Sequence, residues 1–153
     1  MPEVVRSPMS GTVVPLLEVP DPVFAQQIVG GGVAVQPLRD GGPVVATAPV
    51  DGTLVRVQPH AFVVQTDSGT AILVHIGVDT VRMDGATFQV LAAEGARVAM
   101  GEPVVRFDPQ VIAENGYADI CPVIVLQSAP GAVPGPATPR TVQAADVLFT
   151  WPG

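Results

Sequence analysis

Lysine is absent from this chain of 153 residues, and all seven basic residues are arginines scattered along the sequence. With a net charge of −7 and no basic stripe, the chain lacks the footprint of a nucleic-acid-binding protein. No apolar run approaches the ~18 residues that a membrane-spanning helix needs, and no charged-then-apolar signal stands at the N-terminus. The sequence therefore predicts a cytoplasmic protein without a membrane span, whose acidic surface prefers basic partners.

Cysteine is nearly absent as well. Cys121 is the only one, which excludes an internal disulfide and is consistent with a reducing compartment. It lies in the apolar segment ICPVIV at residues 120–125, with no arginine or histidine nearby in sequence to stabilise a thiolate. We expect a buried structural cysteine rather than a reactive one.

Apolar residues, glycine and proline are abundant. The apolar fraction of 48% and the mean hydropathy of +0.44 exclude a disordered chain. The 16 glycines and 17 prolines punctuate short valine-rich segments, such as residues 52–57, 61–65, 72–76 and 123–126. We predict one domain over residues 1–153 with an all-β fold, an antiparallel β-sandwich of the barrel-sandwich hybrid type.

Helical signals are brief. Asp21-Pro22 and Asp108-Pro109 each combine a helix N-cap with a proline at the first helical position, and the second run ends at Asn115-Gly116. These signals predict one- or two-turn helices at the sheet edges. The three consecutive glycines at residues 30–32 lack the Gly-Lys-Ser/Thr of a phosphate-binding loop, so they predict a turn between a helix and a strand.

Two internal repeats support a duplicated hybrid motif. SPMSGTVV at residues 7–14 matches APVDGTLV at residues 48–55, and both place Pro-x-x-Gly-Thr before a strand. A fainter match relates VAMGEPVVRF at residues 98–107 to VQAADVLFTW at residues 142–151. Coincidence among valine- and glycine-rich segments is the alternative explanation.

The only two histidines, His60 and His75, lie symmetrically about a turn signal at residues 65–70. If the turn centres on Asp67-Ser68, the histidines are direct cross-strand partners on one face of a hairpin. That face would also carry Phe62, Val64, Ala71 and Leu73. An apolar surface and a like-charged neighbour disfavour imidazolium, so at least one ring offers a lone pair near neutral pH as a nucleophile or ligand. A packed structural pair is the alternative interpretation.

Several chemistries do not fit these residues. Lipoyl and biotinyl carrier domains resemble such a sandwich but attach their cofactor to a lysine, which this chain lacks. Zinc peptidases on a related scaffold need three protein ligands, and two histidines fifteen residues apart do not supply them. A hydrolase built on Ser68 or Ser128 has no nucleophile elbow. We therefore expect no metal and no cofactor.

Five segments carry a family resemblance that runs in order over nearly the whole chain: VPDPVF at 19–24, APVDGT at 48–53, HAF at 60–62, DSG at 67–69 and VHIGVDTV at 74–81. The last, around His75, is the most specific. In these segments the chain resembles the glucose-type enzyme IIA of the bacterial phosphoenolpyruvate-dependent sugar phosphotransferase system. The resemblance implies a β-sandwich fold and a phosphocarrier function.

The resemblance also implies roles for both histidines. His75 would accept a phosphoryl group from the phosphocarrier HPr on its tele nitrogen, Nε2, and pass it to the cysteine of a IIB domain for sugar uptake, and His60 would support it. A neutral imidazole nitrogen is a competent acceptor, and the N–P bond is labile enough to hand the group onward. Family members often have threonine two positions before the first histidine, where this chain has Gln58 and then Pro59, so the hydrogen bond to His60 differs.

Partner-binding residues follow from the same resemblance. Asp21 and Asp79 would meet basic residues of HPr and IIB, and Gly77 would remove bulk beside His75. An apolar rim would exclude water during docking; its members would be Val23, Phe24, Ile28, Val29, Leu73 and Val81. The protein would meet the inner face of the membrane only transiently, through its IIB and IIC partners.

Alternatives stay open at several of these positions. Asp21 is also expected to cap a helix, and Asp79 is also a turn residue. Phe24 is expected to be an exposed docking anchor, with core packing of a short helix as the alternative. For the whole protein, the alternative function is regulation, in which the same face binds permeases or metabolic enzymes without carrying phosphoryl flux.

Overall fold

The computed structural model describes residues 2–39, 41–136 and 138–152. These residues form thirteen strands, two α-helices and three single-turn 3-10 helices. The strands are β1 (Glu3–Arg6), β2 (Gly11–Pro15), β3 (Gly30–Pro37), β4 (Val44–Thr47), β5 (Gly52–Gln58), β6 (Ala61–Gln65), β7 (Ala71–His75), β8 (Gln89–Val90), β9 (Arg97–Val98), β10 (Pro103–Phe107), β11 (Cys121–Leu126), β12 (Arg140–Val142) and β13 (Val147–Trp151). The helices are α1 (Pro22–Ala25) and α2 (Pro109–Glu114), and the 3-10 turns are Leu16–Glu18, Thr80–Arg82 and Gly85–Thr87.

The strands form one large and two small antiparallel sheets. Among the described residues the large sheet has eight strands in the order β12-β2-β3-β11-β7-β6-β5-β9, and the small sheets are β4-β10-β8 and β1-β13. The main core lies between the large sheet and the two small ones, with Phe62 and Leu54 on one side and Phe107 and Val5 on the other. The predicted all-β antiparallel sandwich with short edge helices is confirmed. Within the described ranges the large sheet stays open rather than closing into a barrel.

The internal repeats correspond to two structurally similar halves. In the first repeat, Gly11 and Gly52 each begin a strand, and a Cβ at either position would collide with a carbonyl oxygen of the neighbouring strand. In the second, Gly101 and Ala145 both have left-handed backbones, with φ of 87° and 73°. The N–H of Gly101 donates to the carbonyl of Ala48, and the N–H of Ala145 donates to the equivalent carbonyl of Ser7, both at 2.9 Å. These matching contacts show that the repeats are structural rather than coincidental.

The hairpin of β6 and β7 differs from the predicted register by one residue. His75 pairs with Ala61 rather than with His60. The connection is a three-residue loop, residues 67–69, closed by a backbone hydrogen bond between its flanking residues and ending in Gly69 with φ of 95°. A three-residue loop with a final left-handed residue moves the centre of the turn onto its middle residue. The predicted turn centred on two residues is therefore wrong.

The register shift also changes which residues share a face with His75. Phe62 and Val64 point into the main core with no exposed surface, so their predicted place beside the histidines is wrong. Leu73 and Ala71 lie on the same face of the sheet as His75, as predicted, because alternate residues of one strand point to the same face. The His75 side chain, at the end of the hairpin, therefore points to the outer face of the large sheet.

A second, smaller core covers part of that outer face. It consists of Val14, Leu16, Val19, Phe24, Ala34, Val78, Ile120 and Ile124. Helix α1 contributes Phe24 to this cluster and begins as predicted. The carboxylate of Asp21 accepts a hydrogen bond of 2.8 Å from the N–H of Val23, and Pro22 occupies the first turn. Asp108 caps α2 in the same way, through the N–H of Gln110 at 3.0 Å.

Two further sequence expectations have clear outcomes. Gly30, Gly31 and Gly32 do not form a turn: they begin β3, where a Cβ on Gly30 or Gly32 would collide with a carbonyl oxygen of β11. Cys121 is fully buried, and burial raises the pKa of its thiol to about 12, which fits the structural role. In the part of the chain that the model describes, no helix has the length and apolarity that crossing a membrane requires.

Candidate functional site

His75 is the last residue of β7, and its imidazole is half-buried on the outer face of the large sheet. The Nδ1 atom lies 2.6 Å from the carbonyl oxygen of Gly77. Because a carbonyl can only accept a hydrogen bond, Nδ1 must carry the proton and donate it. In the neutral ring, Nε2 is then the nitrogen with the free lone pair, so the backbone selects one of the two tautomers.

The loop after β7 has an unusual backbone. Gly77 has φ of 73° and Asp79 has φ of 60°, both in the left-handed region. Glycine adopts this conformation at no steric cost, and aspartate is among the few other residues that tolerate it. The N–H of Val78 donates to the carbonyl of Ala118 at 3.0 Å, which ties the loop to the segment before β11. The sharp turn directs the Gly77 carbonyl back toward His75.

His60 contacts His75 even though the two are not paired in the sheet. The ring centroids are 5.3 Å apart with an interplanar angle of 72°, an edge-to-face arrangement. His60 lies in the two-residue turn between Gln58 and Ala61, so the strict alternation of strand side chains does not apply to it. The predicted proximity of the histidines is confirmed, although the register from which it was inferred is wrong.

Both imidazoles are biased toward the neutral form. Burial lowers the pKa of His75, although the hydrogen bond to Gly77 and the charges of Asp21 and Asp79 act in the opposite direction. Burial also lowers the pKa of His60, and the neighbouring His75 lowers it further. Each ring therefore keeps a lone pair at neutral pH, whereas the sequence predicted this for at least one of them.

Phe24 packs against His75. The ring centroids are 5.0 Å apart at an interplanar angle of 56°. Phe24 is only 8% exposed and belongs to the second core, so the expectation of an exposed aromatic is wrong. Helix α1 is too short to hold its own shape by backbone hydrogen bonds alone, and this side chain anchors it to the sheet. Phe24 thereby forms one wall of the His75 site.

The other predicted rim residues divide into exposed and covered ones. Val23, Ile28 and Val81 are exposed, with exposed fractions of 41%, 65% and 65%. Val29 and Leu73 are partly buried against the second core. The exposed members lie on and just after α1 and in the 3-10 turn after β7, and Asp21 and Asp79 lie in the same two segments, where their charges act on His75.

A depression of about 300 Å³ opens beside His60. Its walls are largely apolar, with polar groups from three side chains; the lining residues are Gln58, Pro59, His60, Thr80, Val81, Met83, Gly85 and Phe88. Among the described residues, no group of three or more His, Cys, Asp or Glu side chains is placed to hold a metal ion. The two imidazoles supply the lone pairs at this site.

Sequence reasoning did not single out Thr80 or the segment around Asp119. Thr80 is 1% exposed, and its hydroxyl donates to the carbonyl of Ile76. The buried carboxylate of Asp119 accepts from Gln36 at 2.9 Å and from Arg39 at 2.7 Å and 2.8 Å. Burial acts to raise the pKa of Asp119, but these hydrogen bonds outweigh it and lower that pKa. The sequence signal for Thr80 is its place in the VHIGVDTV segment around His75.

The chain matches the family model described as phosphoenolpyruvate-dependent sugar phosphotransferase system, EIIA 1, over residues 3–130. It is 41% identical over 125 residues to the "PTS system glucose-specific EIIA component" of Halalkalibacterium halodurans, an alignment that covers 80% of this chain and 70% of that one. The component of the same name from Staphylococcus epidermidis is 38% identical over 126 residues, with 81% and 74% covered.

Two further comparisons extend this result. The "PTS system glucose-specific EIIBCA component" of Corynebacterium glutamicum is 42% identical over 123 residues, which are 79% of this chain and 18% of that longer protein. The solved structure of the glucose permease IIA from Mycoplasma capricolum superimposes with a TM-score of 0.85 at 33% identity. That match covers 98% of this chain and 96% of the other, so the whole sandwich is shared.

Proposed function

Because this chain belongs to the EIIA 1 family of the phosphoenolpyruvate-dependent sugar phosphotransferase system, and is therefore a phosphoryl-relaying component of such a system, we propose that His75 is the residue that carries the phosphoryl group. The observation that supports this proposal is the contact of 2.6 Å between Nδ1 of His75 and the Gly77 carbonyl. It leaves Nε2 with a lone pair, on the ring that lies on the outer face of the sheet. The purely regulatory alternative is not favoured, since relatives matched over four-fifths of the chain are named EIIA components.

The transfer step follows from that tautomer. The lone pair of Nε2 attacks the phosphorus of the phosphorylated donor, the donor's own bond to phosphorus breaks, and its electron pair returns to the donor atom. The His75 ring gains positive charge as the new N–P bond forms, while Nδ1 keeps its proton and its hydrogen bond to the Gly77 carbonyl. In the second transfer the same N–P bond breaks when the acceptor attacks, and the lone pair returns to Nε2.

His60 is proposed as the supporting residue. Its ring contacts that of His75 edge to face, and its lowered pKa keeps it neutral, so one ring N–H can donate to a phosphoryl oxygen without adding a charge to the resting site. Such a donor is most useful where charge develops during transfer. Gln58 and Pro59, which precede His60, line the depression beside it and replace the threonine-containing turn common in the family.

The family implies HPr as donor and a IIB domain as acceptor, and the relative from C. glutamicum is named as an EIIBCA component. We propose that both partners dock on the face around His75, in the cytoplasm, and that this protein meets the membrane only through IIB and IIC. The exposed Val23, Ile28 and Val81 supply apolar contact area. Asp21 and Asp79 supply negative charge for basic partner residues.

Incubation with phosphoenolpyruvate, enzyme I and HPr tests the proposal. Intact-mass measurement should show one added phosphate, stable in alkali and lost in mild acid, as a phosphoimidazole is and a serine ester is not. His75→Ala should abolish the addition, because the nucleophile is gone. His60→Gln should leave acceptance from HPr partly intact but slow onward transfer to IIB. Acid-stable phosphate, or equal loss of acceptance in both variants, would contradict these roles.

A further inference from the structure

Thr80 closes the loop that follows β7. Its hydroxyl donates a hydrogen bond of 2.5 Å to the carbonyl oxygen of Ile76, four residues earlier, and its side chain is 1% exposed. The Thr80 carbonyl in turn accepts from the N–H of Met83 at 3.0 Å, which starts the 3-10 turn Thr80–Arg82. The five residues from Ile76 to Thr80 therefore form a small hydrogen-bonded ring anchored in buried structure.

Gly77 is wedged between this ring and the segment before β11. A Cβ built on Gly77 would lie 2.6 Å from Cγ2 of Thr80 and 2.7 Å from the carbonyl oxygen of Ala118, both too close for a real side chain. The N–H of Val78 also donates to that Ala118 carbonyl. Because the Val78 N–H and the Gly77 carbonyl belong to one planar peptide unit, this hydrogen bond also orients the Gly77 carbonyl.

We propose that Thr80 is a positioning residue: by closing the Ile76–Thr80 loop it holds the Gly77 carbonyl on Nδ1 of His75, and this leaves Nε2 as the nitrogen that takes the phosphoryl group. The inference rests on the proposed function of His75. Threonine suits the task because its hydroxyl can bond a carbonyl four residues earlier while its methyl group packs against a neighbour. The loop then fixes the tautomer of the reacting ring before any partner arrives.

Two variants separate the hydroxyl from the methyl group of Thr80. Thr80→Val keeps the shape but removes the donor, whereas Thr80→Ser keeps the donor and removes the methyl. Thr66→Val is the matched control: Thr66 is also buried, at 7% exposed, and its hydroxyl accepts from the N–H of Thr70 at the opposite end of the β6–β7 hairpin. All three are compared by thermal unfolding, so that general loss of stability is measured separately.

The first readout is the imidazole tautomer of His75 in the unphosphorylated protein, from long-range ¹⁵N–¹H NMR spectra. We expect the Nδ1–H tautomer in the wild type, in Thr80→Ser and in Thr66→Val, and a mixture of tautomers in Thr80→Val. This measurement uses no partner and no phosphate, so it does not depend on the phosphocarrier assignment. An unchanged tautomer in Thr80→Val would overturn the proposal even if the wild type is phosphorylated on His75.

The second readout is phosphoryl transfer from HPr. In Thr80→Val the rate constant at saturating phospho-HPr should fall about tenfold, because the reacting nitrogen is misplaced, while KM stays within about twofold. Thr80→Ser should retain both parameters. Equal losses of rate in Thr80→Ser and Thr80→Val, or a change confined to KM, would assign Thr80 to packing or docking and overturn the positioning role. Phosphate on a residue other than His75 in the wild type would instead contradict the proposed function itself.

Discussion

The two histidines occupy different chemical environments although their rings are in contact. His75 has one nitrogen committed to the Gly77 carbonyl, so its tautomer is set by the backbone. His60 lies in a two-residue turn, where its ring borders the depression of about 300 Å³. A ring with a fixed lone pair suits repeated attack on phosphorus, whereas a ring with fewer restraints can adjust its hydrogen bond as charge develops. The two rings of the pair are thus under unequal restraints, which suits the unequal roles proposed for them.

The lowered pKa values of these rings predict a dependence of stability on pH. In the unfolded chain each histidine protonates near its ordinary pKa of 6.5, but in the folded protein it does so only at lower pH. The unfolded state therefore binds more protons as the pH falls below 6.5, and the free energy of unfolding decreases through this window. Urea unfolding between about pH 8 and about pH 5.5 measures the effect.

His75→Gln is the control for this dependence, because it removes one of the two titrating rings. The variant should lose less stability than the wild type over the same pH interval. Equal losses in the two proteins would show that other groups carry the pH dependence and that the His75 pKa is not lowered by folding.

Phe24 has the core position that the sequence offered as the alternative to an exposed docking anchor, and it also packs against His75. Its ring is a wall of the His75 site and a member of the second core. Truncation in Phe24→Ser should therefore cost roughly 3 to 5 kcal/mol of stability and also slow phosphoryl exchange with HPr. Phe24→Leu keeps most of the apolar volume, so it should cost less than about 1.5 kcal/mol while still removing the aromatic contact with His75.

Thermal unfolding and exchange rates on the same preparations test this prediction. Slower exchange in a stable Phe24→Leu protein would support the wall role. Normal exchange in both variants, corrected for the folded fraction, would confine Phe24 to core packing.

At the scale of elements, α1 and α2 are built alike but lie in different places. Both begin with an aspartate cap followed by proline, and each cap accepts from the N–H two residues later. Asp21→Ala and Asp108→Ala should each cost about 1 kcal/mol of stability, measured by urea unfolding, because each loses its cap. Only the variant in α1 should slow phosphoryl exchange with HPr, since only Asp21 places its charge at His75.

Asp21→Asn separates the cap from the charge, because asparagine caps helices about as well as aspartate. This variant should keep its stability within a few tenths of a kcal/mol and still exchange more slowly, most clearly at low ionic strength. Asp108→Asn is its control and should change neither quantity. Unchanged exchange in Asp21→Asn would reduce Asp21 to a helix cap.

Most elements of the fold could be predicted from local sequence, but their register could not. The two aspartate-proline caps and the bounds of β6 follow from short-range signals, and all are confirmed. The turn at residues 67–69 contains Asp, Ser and Gly, which suit a two-residue or a three-residue loop equally well. Only the pairing of the flanking strands decides between them. A change of one residue in the register moves Phe62 from the predicted outer face to the core, where the structure places it.

The histidine pair of the candidate site is predicted from its symmetry about the turn signal and from the segment around His75. The contact between the rings is present despite the register error, because His60 lies in a turn. The burial of Phe24 and the close approach at Gly77 depend on residues far along the chain, such as Ile120 and Ala118. Packing between such distant segments leaves no periodic signal in one sequence.

At the scale of the whole molecule, the two halves of the duplication form the same backbone hydrogen bonds and strand pairs. The N–H of Arg6 donates to the carbonyl of Pro49, and the N–H of Thr47 donates to the carbonyl of Pro8, so the two halves exchange equivalent bonds at 2.9 Å. Val142 pairs with Gly11 as Val98 pairs with Gly52. Only one half carries the histidine hairpin, which indicates that the repeat provides a scaffold and the site is added to one side of it.

These shared contacts predict that replacing either of two equivalent glycines by alanine lowers the stability of the protein by the same amount. A Cβ at Gly11 would collide with the carbonyl oxygen of Gln36, and a Cβ at Gly52 with that of Gln65, so neither site can accept alanine without moving a strand. Gly11→Ala and Gly52→Ala should each cost about 3 kcal/mol, measured by urea unfolding. Gly41→Ala is the control, because nothing lies within 4 Å of its built Cβ, and it should be nearly neutral. A large loss at Gly52 alone, with Gly11→Ala close to wild type, would show that the two halves do not rely on the same close approach of strands.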